Sequence, residues 1–140
     1  MPAIGDVVSR FEEPGGARFV AHHRENGVAV VEVSGALDRP SLDDLTTVVC
    51  GLGASCEHVV VDLDLATIID ARTTLRSVVR LALDDTTPKV CLVCGRVTAR
   101  ILLDRAGVSA VVPVFQSVGD ALQAVVMERE GFGRGWQAEP

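Results

Sequence analysis

Residues 60–75 read Val60-Val61-Asp62-Leu63-Asp64-Leu65-Ala66-Thr67-Ile68-Ile69-Asp70-Ala71-Arg72-Thr73-Thr74-Leu75. An apolar strand, Val59 to Leu63, runs into a short acid-bearing turn. A second apolar pair, Ile68 and Ile69, delivers Asp70 to the start of a helix. The run from His58 to Leu63 is almost continuously apolar, the pattern of a strand covered on both faces of a parallel sheet. Asp70 or Thr73 can cap the helix that follows, because a short oxygen-bearing side chain accepts from the free N–H groups of a first turn. Leu75, Val78, Val79 and Ala82 recur at helical spacing and are assigned to its buried face.

The same alternation extends in both directions. Ala17 to Arg24 and Val28 to Val33 are strands joined by a tight turn at Glu25-Asn26-Gly27, where Asn-Gly tolerates positive φ. Ser34 to Asp38 leaves the second strand. Pro40 suits a first helical turn, with Asp38 or Arg39 just before it. Leu42, Leu45, Val48, Val49 and Leu52 carry that helix until Gly51 and Gly53 end it. Lys89 to Cys94 is another buried strand. Val97 to Ala106 is a short helix closed by Gly107, and Val111 to Val114 is a last strand. Ser117 opens a final helix, with Asp120 placed for a capping box, that runs to about Arg129. A hairpin followed by alternating strands and helices implies right-handed crossovers. The expected fold is a single α/β domain over residues 17–130: a mixed, mostly parallel sheet of about five strands packed against about four helices. Residues 1–16 read as a flexible leader, and the glycine-rich residues 131–140 as a disordered tail.

A chain of 140 residues is long enough to bury one core without disulfides or metal. No apolar run approaches the roughly 20 residues that cross a bilayer. The first residues lack a basic stretch followed by an apolar one, so they do not read as a signal peptide. A cytoplasmic protein without membrane insertion is expected. The net charge of −6, with basic residues scattered along the chain, opposes direct nucleic-acid binding, which needs Lys and Arg to displace phosphate counterions.

The cysteines are Cys50, Cys56, Cys91 and Cys94. Cys91 and Cys94 have metal-ligand spacing but fall in a strand, where residues three apart are separated by roughly 10 Å and point to opposite faces. A disulfide needs Cα atoms within about 7 Å. Neither a bond nor a zinc ion is expected between them, and small buried side chains are the better reading. Cys50 and Cys56 flank the Gly51 to Ser55 turn and are the better redox candidates, although a reducing cytosol disfavours that bond.

Three stretches together resemble the STAS domain family, the anti-sigma factor antagonists of bacteria. Gly35-Ala36-Leu37-Asp38 is similar to the G-x-L-D that closes the family's second strand. Val61-Asp62-Leu63 through Asp70 is similar to its switch segment, roughly V-D-L-S, a turn, two apolar residues and D-S-S-G-L. Leu103 to Val108, Val114 to Ser117 and Asp120-Ala121-Leu122 are similar to its C-terminal helix, strand and helix. The likeness covers residues 17–128. It implies a sheet with helices mainly on one side, and a surface that docks on an anti-sigma factor, itself a kinase.

The resemblance also implies a set of contact residues: Asp38, Ser41, Asp62, Asp70, Ala71, Arg72, Thr73 and Thr74. Asp38 and Asp70 can serve as helix caps as well. In the family a serine immediately after the second aspartate accepts a phosphate, and the modification releases the partner. Here that residue is Ala71, which has no hydroxyl. The next serine of the pattern is Arg72, and the glycine is Thr73. Thr73 and Thr74 carry hydroxyls nearby and are alternative acceptors, although capping is the better account of them.

Two functions of different kind follow. One is an antagonist-like binding module that acts on sigma-factor-dependent transcription without the usual phosphate acceptor. The other is a diverged scaffold or sensor subunit of a signalling complex, with a different partner and with Cys50 and Cys56 available for a thiol response. An enzyme is disfavoured: no nucleophile–base pair and no glycine-rich phosphate loop after a strand is visible, and no cofactor or metal is implied.

Overall fold

The computed structural model describes residues 10–12, 16–84 and 86–129. Six strands form one sheet in the order β1-β2-β3-β4-β5-β6. They are β1 (Arg10–Glu12), β2 (Arg18–Arg24), β3 (Val28–Leu37), β4 (His58–Ile68), β5 (Lys89–Val93) and β6 (Val114–Phe115). The helices are α1 (Arg39–Leu52), α2 (Ala71–Leu83), α3 (Val97–Ala106) and α4 (Val118–Arg129). β1, β2 and β3 pair antiparallel, and β3 to β6 pair parallel. The five expected strands are present. Arg10–Glu12 adds a sixth beside β2, inside the stretch read as a leader. The remaining leader residues, 1–9 and 13–15, and the tail 131–140 lie outside the described residues.

The two faces of the sheet are covered unequally. Val31, Val33, Val59, Val61 and Leu92 form one core with Leu42 and Val49 of α1, Val78 and Leu81 of α2, and Leu103 of α3. Val30, Val60, Cys91 and Val93 face the other way and are covered by Ala121 and Val125 of α4. β4 and β5 are therefore apolar on both sides, as their sequences require. Glu128 in the last turn of α4 lies 2.7 Å from Lys89 Nζ and 3.3 Å from His58 Nε2. Those contacts tie the helix to the starts of β4 and β5, and the Lys89 ammonium holds the Glu128 carboxyl below its usual range. No helix among the described residues is long and apolar enough to cross a membrane.

Four local expectations change. First, the acid-bearing turn after Leu63 is strand. β4 continues to Ile68 and β3 to Leu37, with a bulge between them: Glu32 pairs with Asp62, but Ser34 pairs with Leu65. β4 thus holds one residue more than β3 across this interval. Second, the buried face of α2 is Thr74, Ser77, Val78 and Leu81, while Ala82 is exposed and Leu75 and Val79 are half-buried. Thr74 and Ser77 can enter the core because their hydroxyls donate to the carbonyls of Asp70 and Thr73, four residues back. Third, Val108–Ala110 is a single 3₁₀ turn, and the last strand is only Val114–Phe115. Fourth, the capping box of α4 is half-formed as seen: Ser117 Oγ accepts from Asp120 N–H at 3.1 Å.

Gly35 shows why the end of β3 needs a glycine. Its φ is +88°, and a Cβ there would lie 3.0 Å from the carbonyl oxygen of Gly16. Any other residue would meet both a backbone clash and left-handed strain.

Candidate functional site

Strands β3, β4 and β5 run parallel, so the segments that follow them emerge at one edge of the sheet. α1, α2 and α3 all start there. Asp38, Asp70 and the pair Gly95-Arg96 mark the three crossings.

At the first crossing Asp38 is the N-cap of α1. Its Oδ1 accepts from Ser41 N–H at 2.9 Å, which holds its carboxyl below the usual range. Ser41 does not fit the contact role implied by the resemblance. It is 1% exposed, and its Oγ accepts from Ala17 N–H at 3.0 Å. The hydroxyl fastens the entry to β2 onto α1, because an unpaired buried N–H would be expensive.

At the second crossing Asp70 is the N-cap of α2 and is exposed. Thr73 Oγ1 donates to Asp70 Oδ2 at 2.9 Å, and Arg72 N–H donates to Oδ1 at 3.0 Å. These bonds, the hydroxyl first, lower the Asp70 carboxyl below its usual range. Ala71 is the first helical residue, as the sequence requires, and is half-buried. Arg72 is exposed in the same turn. Thr74 is 3% exposed, and its hydroxyl donates to the Asp70 carbonyl of its own helix. Thr73 keeps a half-buried hydroxyl engaged by Asp70.

Asp62 lies in the body of β4 at the bulge. It is half-buried, and its Oδ1 accepts from Asp64 N–H at 3.0 Å. Burial pushes its carboxyl up, although the Asp64 N–H works the other way, and the charges of Asp64 and Glu32 add to the rise. Its role is to shape the bulge, six residues before the strand ends.

The third crossing holds residues that the sequence reading passed over. Asp64 Oδ1 accepts from Gly95 N–H at 2.6 Å. Arg96 Nη2 donates to the carbonyl of Leu63 at 3.1 Å and also to that of Ala66. β5 pairs with β4 only up to Asp62↔Val93. Beyond that point Asp64 and Arg96 do what a neighbouring strand would do, and brace the segment leading to Asp70. A glycine-arginine pair directly after a buried strand was the available signal; its partners, some thirty residues away, were not readable.

The exposed apolar side chains at this edge are Leu65, Ile69 and Val97. An edge that sets exposed aliphatics around an arginine has the make-up of a contact surface; the two capping carboxylates beside it are already bonded to their own first turns. Among the described residues no group of three or more His, Cys, Asp or Glu side chains is placed to hold a metal ion. Cys91 and Cys94 face opposite sides of the sheet, as the strand geometry requires. Cys50 is exposed on α1, while Cys56 is buried with its sulfur 3.6 Å from His23 Nδ1.

The architecture is that of the anti-sigma factor antagonists, the fold implied by the resemblance to the STAS family. A solved anti-sigma factor antagonist from Mycobacterium paratuberculosis is similar over 83% of this chain and 99% of its own, with 22% identity and a TM-score of 0.63. A structure of the anti-sigma factor antagonist SpoIIAA in its unphosphorylated form is similar over 83% of this chain and 99% of its own, with 12% identity and a TM-score of 0.59. No family model and no curated protein matches the sequence.

Proposed function

We propose that this chain is an anti-sigma factor antagonist that docks on a kinase-like anti-sigma factor in the bacterial cytoplasm, and whose docking is not switched by phosphate at the start of α2. The contact surface of this reading is the edge formed by Asp38, Asp70, Ala71, Arg72 and Thr73, with Leu65 and Ile69 beside them. Support for the antagonist role comes from the shared fold and from the two aspartate caps at neighbouring helix starts. The observation that carries the missing switch is local. The residue after the Asp70 cap is an alanine, Thr73 is engaged by Asp70 and Thr74 is buried. A phosphate would bring a charge of about −2 to this turn; without an acceptor the surface keeps one charge state and binding stays constitutive.

A pull-down from the native cytosol tests the partner. Recovery of an anti-sigma factor with a kinase-like fold supports the reading, and recovery of a multi-subunit sensory complex instead supports a scaffold. Incubation of the recovered kinase with ATP tests the switch: residues 70–74 stay unmodified in the wild type, and Ala71→Ser becomes phosphorylated. Phosphate mapped to Thr73 in the wild type would overturn the second half of the proposal.

A further inference from the structure

α2 carries Arg72, Arg76 and Arg80 at intervals of four residues and no acidic residue. Side chains four apart share one side of a helix. Between α1 and α2 runs an open groove of about 450 Å³, and Arg76, Arg80, Thr73 and Ser77 of α2 face Arg39 and Asp43 of α1 across it. Among the described residues Asp43 is the only carboxylate on its lining. It approaches Arg80 at 3.9 Å with both side chains mostly exposed, a loose pair of little strength. Among the described residues no ion pair engages Arg39 or Arg76.

This sign balance is opposite to that of the whole chain, which has 19 acidic and 13 basic residues. It also opposes folding. Arginines four apart repel, and Arg39 and Arg72 sit in first turns, where the helix dipole disfavours a cation. An anionic occupant would offset both effects. The arginines on the groove's lining, Arg39, Arg76 and Arg80, come from both helices, more cations than a single small anion pairs with and suited to several carboxylates in sequence. Guanidinium groups take carboxylates in paired hydrogen bonds. Leu75 and Val79 add apolar wall to the groove, and no aromatic ring lines it, so a base-stacking platform for single-stranded nucleic acid is missing.

We propose that the α1–α2 groove receives a carboxylate-rich segment of a protein partner; under the antagonist reading, on which only the partner's name rests, that segment belongs to the anti-sigma factor. The groove reaches Arg39 and Thr73 in the first turns of α1 and α2, next to the edge that carries Asp70 and Arg72, so one partner can cover both.

The test is a titration of the full chain with a fluorescein-labelled polyglutamate peptide, read by anisotropy at low salt. Saturable binding is expected, weakened strongly by about 0.5 M salt. The double variant R76A/R80A should lose about tenfold in affinity, with an unchanged melting temperature because both side chains are exposed. Equal affinity of wild type and double variant would overturn the proposal. So would equal binding of a labelled oligothymidine, which would make the groove a general polyanion site, or displacement by inorganic phosphate at stoichiometric levels, which would make it a small-anion site. No anti-sigma factor enters this experiment. Its failure therefore leaves the antagonist reading standing, and a failed pull-down leaves this result intact.

Discussion

The starts of α1 and α2 are built with one device and end in opposite states. Each has an aspartate N-cap accepting from the first turn. Before Asp38 stands Leu37, fully buried, and at the fourth helical position stands Leu42, in the same core cluster. That pair is a hydrophobic staple. Ser41 adds a buried bond to Ala17. Before Asp70 stands Ile69, 59% exposed, and the fourth helical position is Thr74, whose hydroxyl serves its own helix. The α1 start is locked into the core, and the α2 start is capped but left on the surface. A cap alone makes a helix begin; the residues around it decide whether that beginning is a joint or a contact.

Substitutions can break the comparison, and the largest effect belongs to the staple. Leu37→Ala should destabilise the fold by about 2–5 kcal/mol, read as a large drop in melting temperature. Ile69→Ala should leave the melting temperature nearly unchanged and weaken only the partner complex. Equal losses of stability would show that the two starts do not differ. Next comes Ser41→Ala, which leaves the buried Ala17 N–H without its acceptor at a cost of about 1–3 kcal/mol. Thr73→Ala, which removes only the hydroxyl that donates to the exposed Asp70 carboxylate, should have a much smaller effect in the same denaturant titration.

Acid should sharpen the comparison. Asp38 and Asp70 both have carboxyls lowered by their capping bonds. A depressed acid adds stability that is full above its unfolded value, about 3.9, and is lost as pH falls through its folded value. Asp38→Asn and Asp70→Asn should each flatten part of the loss below pH 4 in melting curves. Asp62 has the opposite sign. Its carboxyl is raised by burial, so its charge opposes folding above the folded value, and the penalty fades as pH falls. Asp62→Asn, which keeps an oxygen for Asp64 N–H, should hold or raise the melting temperature at pH 7. A fall would mean that the charge itself is needed at the bulge. The smallest effect is expected from Arg72→Ala, which should stabilise by a few tenths of a kcal/mol, roughly, by removing a cation from a helix N-terminus.

Much of this was legible from residue types. The runs at His58 to Leu63 and Lys89 to Val93 are apolar on both faces and could only be central strands. Asp38 and Asp70 are each one of two residues that the sequence offers as a cap, and the structure uses both; Gly107 closes α3 with a φ of +90°. The bulge was not legible. Asp62-Leu63-Asp64-Leu65 alternates as a regular strand would, and the extra residue shows only against its partner β3. The inner face of α2 was misassigned because Thr74 and Ser77 read as polar, while a hydroxyl bonded to the preceding turn can be buried. Ser41 belongs to the contact set only through the resemblance, and its burial shows only in the structure. Gly95-Arg96 is too short a signal for a nucleotide site, and the bracing role of Arg96 is not legible because its acceptors are backbone carbonyls, which carry no sequence signature.

The bulge also makes the segment before Asp70 a matter of counting. Up to Leu63 the odd-numbered residues of β4 point to the three-helix core; beyond it Ala66 and Ile68, the even-numbered ones, do. Removing one residue between Leu63 and Ala66 would restore a uniform alternation along the strand. Ala66 and Ile68 would keep their inward side, but Asp64 would be lost or displaced, and with it the bonds to Asp62 and Gly95 that hold this edge. Side chains along this edge are free to drift, as Ala71 and Arg72 already have relative to the pattern they resemble, but the number of residues there is not. Divergence at this surface should therefore proceed by substitution and seldom by a change of length.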